Sequence, residues 1–127
     1  MTTHIREENL QLVAAEDLSA AAMRYKAVTF NGTIAADSKR AAGLLKFTAN
    51  SGGNITVIIE GLTKADLGGG GVTTPGWPLK VITSGWLGAC ASGDIACARF
   101  IGQVAANSGD RIPVAIDFKI PAGSWLG

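Results

Sequence analysis

Apolar and polar residues alternate over several short segments of this chain. In residues 54–61 (NITVIIEG), every second residue from Ile55 onward is apolar, which is the period of a β-strand with one buried face. Ile58 interrupts the polar face, so both sides of this strand are expected to be partly covered. Residues 111–118 (RIPVAIDF) repeat the alternation. Because Pro113 has no amide hydrogen to donate, that strand is predicted at an edge.

Turn-forming residues separate the alternating segments. Residues 42–49 and 54–61 flank Asn50-Ser51-Gly52-Gly53, which is typical of a hairpin, and Asn31-Gly32 is a turn signal that ends a strand at 24–30. Asp17 is placed to cap a short helix through the alanines that follow it. Further strands are predicted at residues 10–15, 78–83, 86–88 and 95–105. Seven or eight short strands with a turn every 8 to 12 residues indicate a small sandwich or barrel.

The length of 127 residues predicts a single all-β domain, a small β-barrel or sandwich with an extended N-terminal arm. Residues 1–9 are polar and aperiodic and form the predicted arm, residues 10–118 form the β-domain, and residues 119–127 form a C-terminal tail. The N-terminus lacks the basic-then-apolar order of a signal peptide, so synthesis and use without secretion are expected. No uncharged run is long enough to span a bilayer, so no membrane partner is expected.

The charge of the chain is low and dispersed. Charged residues make up 17% of the sequence, below the usual quarter, and the net charge is +1. The 11 basic residues form no stripe, so nucleic acid is not an expected partner. Low charge together with 17 glycines fits a chain that covers part of its surface in an assembly.

Residues that carry chemistry are scarce. The run Gly68-Gly69-Gly70-Gly71 lacks the lysine and the following helix of a phosphate-binding loop, so it is predicted to connect two strands. His4 is the sole histidine and lies in the predicted arm. The two cysteines, Cys90 and Cys97, are interpreted as small buried side chains. No catalytic residue, metal site or cofactor is therefore predicted.

One enzymatic alternative stays open on the sequence. Glu60 and Asp66 are close enough in sequence to approach each other across a turn, as the carboxyl pair of a glycoside hydrolase does. Asp66 adjoins the glycine run, however, where an aspartate usually helps to form a turn. A small hydrolase is therefore the weakest of the interpretations.

The three tryptophans are candidate contact residues. Trp77 and Trp86 lie beside glycine or proline, and Trp125 lies in the tail. Aromatic residues on loops are enriched at protein interfaces, and they also stack on sugars. A carbohydrate- or ligand-binding module that uses Trp77 and Trp86 is therefore the main alternative function.

The linear order of several segments resembles the capsid cement, or head decoration, proteins of tailed bacteriophages. The segments that carry the likeness are NLQLVAAEDLSAAAMRYKAVTF, AAGLLKF, GGNITVIIEGLTKA, GWPLKVITSGWLGACASGD and RFIGQVAANSGDRIPVAIDF, which together span residues 9–118. The likeness is one of glycines and strands, and this chain departs from it in the long glycine run and in the tail after Phe118.

The resemblance implies a structural virion protein with a small barrel-like domain, which binds the outer surface of the assembled head and stabilises it by bridging capsomers. It implies the major capsid protein and further copies of this chain, as a homotrimer, as partners, synthesis in the host cytoplasm, and no enzymatic activity. A head fibre or tail component is a related alternative. The residues predicted at the capsid or subunit interface are Thr2, Thr3, His4, Ile5, Arg6, Leu10, Leu12, Trp77, Trp86 and Trp125.

Overall fold

The computed structural model describes residues 8–118 except Lys39, Thr73, Ser92, Ile95 and Val104. Eight β-strands and two short 3-10 turns, Ala21–Met23 and Thr83–Gly85, make up its regular structure. The strands are β1 (Glu8–Val13), β2 (Ala27–Thr29), β3 (Ala41–Phe47), β4 (Asn54–Asp66), β5 (Pro78–Val81), β6 (Leu87–Ala89), β7 (Ala98–Phe100) and β8 (Arg111–Asp117). No helix in the described part of the chain is long and apolar enough to span a membrane.

The strands form one antiparallel sheet that almost closes into a barrel. Its order is β2-β3-β4-β8-β7-β5-β6, and β1 pairs with β4 outside this path. A parallel bridge joins Leu67 to Leu87, and the Gly68 N–H donates to the Leu87 carbonyl at 2.7 Å. These contacts join β6, the last strand of this order, to the end of β4, which is the third strand. The sheet therefore closes on itself in part. The prediction of a small single-domain all-β barrel is confirmed.

The 13-residue strand β4 organises the domain. Its first half lies between two strands, since Ile58 pairs with Asn9 of β1 and with Leu44 of β3. Its second half pairs with the whole of β8, from Glu60 opposite Asp117 to Asp66 opposite Arg111. The sequence pattern predicted that this strand would end near Gly61, but Gly61 adopts a φ of 131° and the strand continues.

Two hydrophobic clusters lie on the two sides of β4. The barrel cluster contains Ile58, Leu44 and Phe100, together with the inward residues of β8. The second cluster contains Ile55, Val57 and Leu45, with Leu18 and Val28 packed beside them. The predicted alternation is confirmed in both strands, and Ile58 is buried as expected because the face that it occupies is covered by the barrel cluster.

Several predicted elements are shorter than expected. The strand predicted at 24–30 is reduced to β2 because Tyr25 takes a φ of 67°, which interrupts an extended backbone. The helix predicted after Asp17 is a single 3-10 turn with no buried residue, so no packing supports a longer helix. The Asp17 carboxylate instead accepts hydrogen bonds from the backbone and hydroxyl of Ser19. The strand predicted at 95–105 is reduced to β7.

The prediction that Pro113 lies in an edge strand is wrong. Strand β8 lies between β4 and β7, and Pro113 itself pairs with Lys64. The proline is tolerated there because β7 ends opposite Val114, so no strand residue of β7 faces the missing amide hydrogen. Only the Ile101 N–H reaches the Pro113 carbonyl, at 3.2 Å.

Candidate interaction sites

The two ends of the described chain meet at one position of β4. Glu60 pairs with Glu8 at the start of β1 and with Asp117 at the end of β8. The Phe118 N–H then donates to the Ile59 carbonyl at 2.8 Å. Residues 1–7 and 119–127 are therefore attached to the domain at neighbouring points. Thr2, Thr3, His4, Ile5, Arg6 and Trp125, which were predicted at the interface, lie outside the described residues.

Leu10 and Leu12 belong to β1 and face the domain's own core. They pair with Val57 and Ile55 and pack, half-buried, against the second hydrophobic cluster. The neighbouring Gln11 is exposed on the opposite face of the strand. Their assignment to an interface stays a prediction, and the outward residues of β1, such as Gln11, are the more exposed ones.

Trp77 and Trp86 lie at opposite ends of the hairpin formed by β5 and β6. Trp77 is 41% exposed and its indole N–H donates to the Cys90 carbonyl at 2.9 Å. Trp86 is half-buried, with the Lys26 ammonium 4.4 Å from its ring centre. The hairpin therefore lies between the two rings, and the binding-module alternative that uses them stays a prediction.

Trp77 and Phe30 each line a surface groove. The groove at Trp77 has a volume of about 220 Å³ and includes Gly71, Val72 and Cys90 in its lining. The groove at Phe30 has a volume of about 410 Å³ and includes Asp37 and Arg40 in its lining. Phe30 is 62% exposed, which marks the β2–β3 connection as a surface available for contacts.

The glycine run connects β4 to β5, as predicted. A side chain at Gly68 would crowd the Cβ atom of Trp86 at 3.0 Å, and one at Gly71 would meet the Ala106 carbonyl at 2.6 Å. Gly70 lies in open space. The close approaches that require glycine in this loop are therefore contacts within the chain itself.

A buried ion cluster lies where the barrel closes. The Asp66 carboxylate accepts hydrogen bonds from Lys26 Nζ at 2.8 Å and from Arg111 Nε at 2.8 Å. Burial by itself raises the pKa of the Asp66 carboxyl, but the hydrogen bonds and charges of Arg111 and Lys26 outweigh that effect. The pKa of Asp66 is therefore lower than usual, and the group is held as a carboxylate.

Sequence reasoning missed this cluster because Lys26 and Arg111 lie 40 and 45 residues from Asp66 along the chain. Asp66 was interpreted as a turn residue, whereas it ends β4. No local pattern marked the cluster, because the burial of Asp66 comes from segments that only the fold brings together. A buried charge requires a charged or hydrogen-bonded partner.

The carboxyl pair proposed for a hydrolase does not form. Glu60 and Asp66 lie six residues apart on the same extended strand, a separation of roughly 20 Å. A glycoside hydrolase holds its two carboxyl groups within about 10 Å of each other. The expected turn between them does not exist, because β4 continues through Gly61 to pair with β8.

The two cysteines are free and buried, as predicted. Burial raises the pKa of the Cys97 thiol to about 12 and also raises that of Cys90. Both groups are therefore held as protonated thiols at neutral pH. Within the described ranges, no group of three or more His, Cys, Asp or Glu side chains is arranged to hold a metal ion.

Comparisons with known proteins place the fold. No protein-family model and no curated protein matches this sequence. Among solved structures, the N base of the head fibre protein gp8.5 of bacteriophage phi29 has a similar fold, with a TM-score of 0.62 and 12% sequence identity. The match covers 89% of this chain and 96% of that one. A likeness at this identity shows that the two chains share their fold.

Proposed function

We propose that this chain is a non-enzymatic structural protein of a bacteriophage head, which binds the outside of the assembled capsid and stabilises it. The observation that carries this proposal is the likeness in fold to the base of a phage head fibre, which extends over nearly the full length of both chains. The independent resemblance of residues 9–118 to capsid cement proteins leads to the same part of the virion.

The mechanism is stabilisation by preferential binding. A protein that binds the assembled shell and not the dissociated subunits shifts the equilibrium toward the shell by mass action. Many copies act together, so each contact can be modest. The partners in this proposal are the major capsid protein and further copies of this chain, arranged as a homotrimer on the outer surface of the capsid.

The position of the chain ends supports attachment through the terminal segments. Glu8 and Asp117, which adjoin residues 1–7 and come shortly before residues 119–127, both pair with Glu60. A segment that precedes a strand is suited to extend that strand onto the sheet edge of a neighbour. We place one capsid contact on the terminal segments, with Trp125 as the aromatic anchor of the tail.

A second candidate function is the base of a head fibre, and the likeness in fold to the base of the phi29 head fibre favours it. Such a base would attach a longer appendage at a limited number of positions instead of covering the lattice. The two functions share the fold and the attachment to the head, and they differ in the number of copies on each particle.

The copy ratio of this chain to the major shell protein distinguishes these functions. We expect a ratio of about one in purified particles of the virus that encodes the chain, as trimers at every local three-fold position would give. The measurement is quantitative mass spectrometry with labelled standard peptides from both proteins. A ratio far below one would assign the chain to a fibre, vertex or tail, and its absence from particles would overturn the proposal.

A further inference from the structure

A continuous row of basic and aromatic side chains lies beside the ion cluster. The Arg111 guanidinium lies 4.9 Å from the ring centre of Tyr25, and the Arg24 guanidinium lies 5.1 Å from the same ring. Arg24 Nε donates to the Lys46 carbonyl at 3.1 Å, and the Lys46 ammonium lies 5.4 Å from the ring centre of Phe47. We name these five residues the arginine–tyrosine surface.

This surface exposes both charge and apolar area. Arg24 and Arg111 are exposed, and Phe47 is 56% exposed although it is a large apolar side chain. The negative charge of Asp66 is shared between Arg111 and the buried Lys26. The hydrogen bonds of Arg24 go to the neutral Lys46 carbonyl and Tyr25 hydroxyl, so its positive charge is available to a partner.

The arginine–tyrosine surface is held in place before any partner binds. Tyr25 has a φ of 67°, in a region that non-glycine residues adopt at a cost of about 1 kcal/mol. Its backbone N–H donates to the Leu45 carbonyl at 2.6 Å, which fixes this conformation against β3. Because the two guanidinium groups are already positioned, little side-chain entropy remains to be lost on binding.

We propose that the arginine–tyrosine surface binds an acidic segment of the shell protein, an inference that rests on the proposed function. Arginine and tyrosine are the residue types that dominate binding energy in protein interfaces. A guanidinium matches a carboxylate through two parallel hydrogen bonds, and Phe47 provides apolar area beside it. Two or three cations among aromatic rings are too few to follow a nucleic-acid backbone, which favours a protein carboxylate over a polyphosphate.

The test compares two charge reversals that differ only in position. Arg24→Glu changes the arginine–tyrosine surface, whereas Arg99→Glu makes the same change on β7, where Arg99 is exposed. Heads produced without this chain are mixed with each purified full-length variant, and binding is measured by co-sedimentation over a range of protein and salt concentrations. We expect Arg24→Glu to weaken binding by about tenfold or more, and Arg99→Glu to leave it unchanged. Binding of the unmodified chain should also weaken as salt rises.

Each outcome is informative. If the unmodified chain does not bind heads, the proposed function fails. If it binds and the two reversals behave alike, the arginine–tyrosine surface is not the contact. Phe47→Ser, which leaves every charge in place, gives a second test should Arg24→Glu fold poorly, and unchanged binding by that variant would overturn the proposal. Binding of the purified chain to double-stranded DNA that Arg24→Glu abolishes, with head binding unaffected by the same change, would also overturn it, because a nucleic acid would then be the ligand of this surface.

Discussion

At the scale of single residues, the ion cluster of Asp66, Lys26 and Arg111 joins three segments that are distant in sequence. Lys26 and Asp66 are each less than a tenth exposed, and the Lys26 ammonium also donates to the Ala22 carbonyl at 2.9 Å. These bonds connect the segment before β2 to the ends of β4 and β8. The cluster therefore fixes the place at which the barrel closes.

We predict that Asp66→Asn lowers the free energy of unfolding at pH 7 by about 2 kcal/mol, because it leaves a buried ammonium without its carboxylate. Because Arg111 is exposed, the loss of unfolding free energy should be smaller than in a charged triad that is fully buried. The folded-state pKa of Asp66 is depressed, so its stabilisation is present above the ordinary value of 3.8 and is lost as pH falls below it. Urea unfolding at pH 7 and pH 3 should show the difference between the two proteins shrinking in acid.

The control for this prediction is Asp94→Asn. Asp94 accepts a hydrogen bond from Lys80 Nζ at 2.6 Å, but that pair is partly exposed and solvent screens it. Its loss should be much smaller than the loss at Asp66. Equal losses in the two variants would show that the buried cluster contributes no more than a surface ion pair.

At the scale of elements, β1 is fixed by contacts on both sides of its C-terminal end. The Ala14 N–H donates to the Gly53 carbonyl at 2.9 Å, and the Ala14 carbonyl accepts from the Gly52 N–H at 2.7 Å. On the other side, the Ala15 N–H donates to the Gly32 carbonyl at 3.0 Å. The β2–β3 connection and the β3–β4 hairpin thus hold the end of β1 between them.

We predict that Gly32→Ala is far more destabilising than Gly52→Ala, although both glycines have a φ above 80°. A methyl group at Gly32 would overlap the Val13 carbonyl oxygen and crowd the Ala15 nitrogen at 2.9 Å, whereas Gly52 has nothing within 4 Å. Gly52→Ala should cost about 1 kcal/mol from the backbone conformation alone, and Gly32→Ala about 3 kcal/mol or more. Denaturant unfolding measures both, and equal costs would show that the contact with β1 carries no energy.

At the scale of the whole molecule, the pairing of Glu60 with both chain ends decides how the domain can be attached to a larger structure. The sequence pattern placed the arm at residues 1–9, but β1 starts at Glu8. A truncation that removes Glu8 and Asn9 would therefore cut into the sheet. A deletion that stops before Glu8 leaves every described strand complete.

We predict that deleting residues 1–7 abolishes binding to heads while the thermal unfolding midpoint stays within a few degrees, because the described strands remain complete. Co-sedimentation with heads and thermal unfolding by circular dichroism measure the two properties. Leu18→Ala is the matched control, since Leu18 is fully buried in the second cluster and its loss should lower stability and leave head binding intact. Full binding by the truncated chain would move the contact away from the arm.

The sequence by itself determined the all-β class, the main hairpin and the inward faces of β4 and β8. These features depend on the period of two and on turn residues, which are local properties of neighbouring positions. The alternation of apolar and polar residues thus predicted the buried positions in residues 54–59 and 112–118. The pair Asn31-Gly32 predicted a turn, and Gly32 has a φ of 83°.

Only the tertiary structure decided the length of β4, the interior place of β8 and the grouping of Lys26, Asp66 and Arg111. Each depends on a partner distant in sequence: β8 supports β4 beyond Gly61, β7 covers one side of β8, and closure of the barrel unites three charges. Pairing with β4 places Glu8 and Asp117 beside Glu60, and the β5–β6 hairpin lies between Trp77 and Trp86. The local pattern shows which face of a strand is buried but not which strand pairs with it. Long-range pairing therefore selects one arrangement among several that fit the pattern equally well.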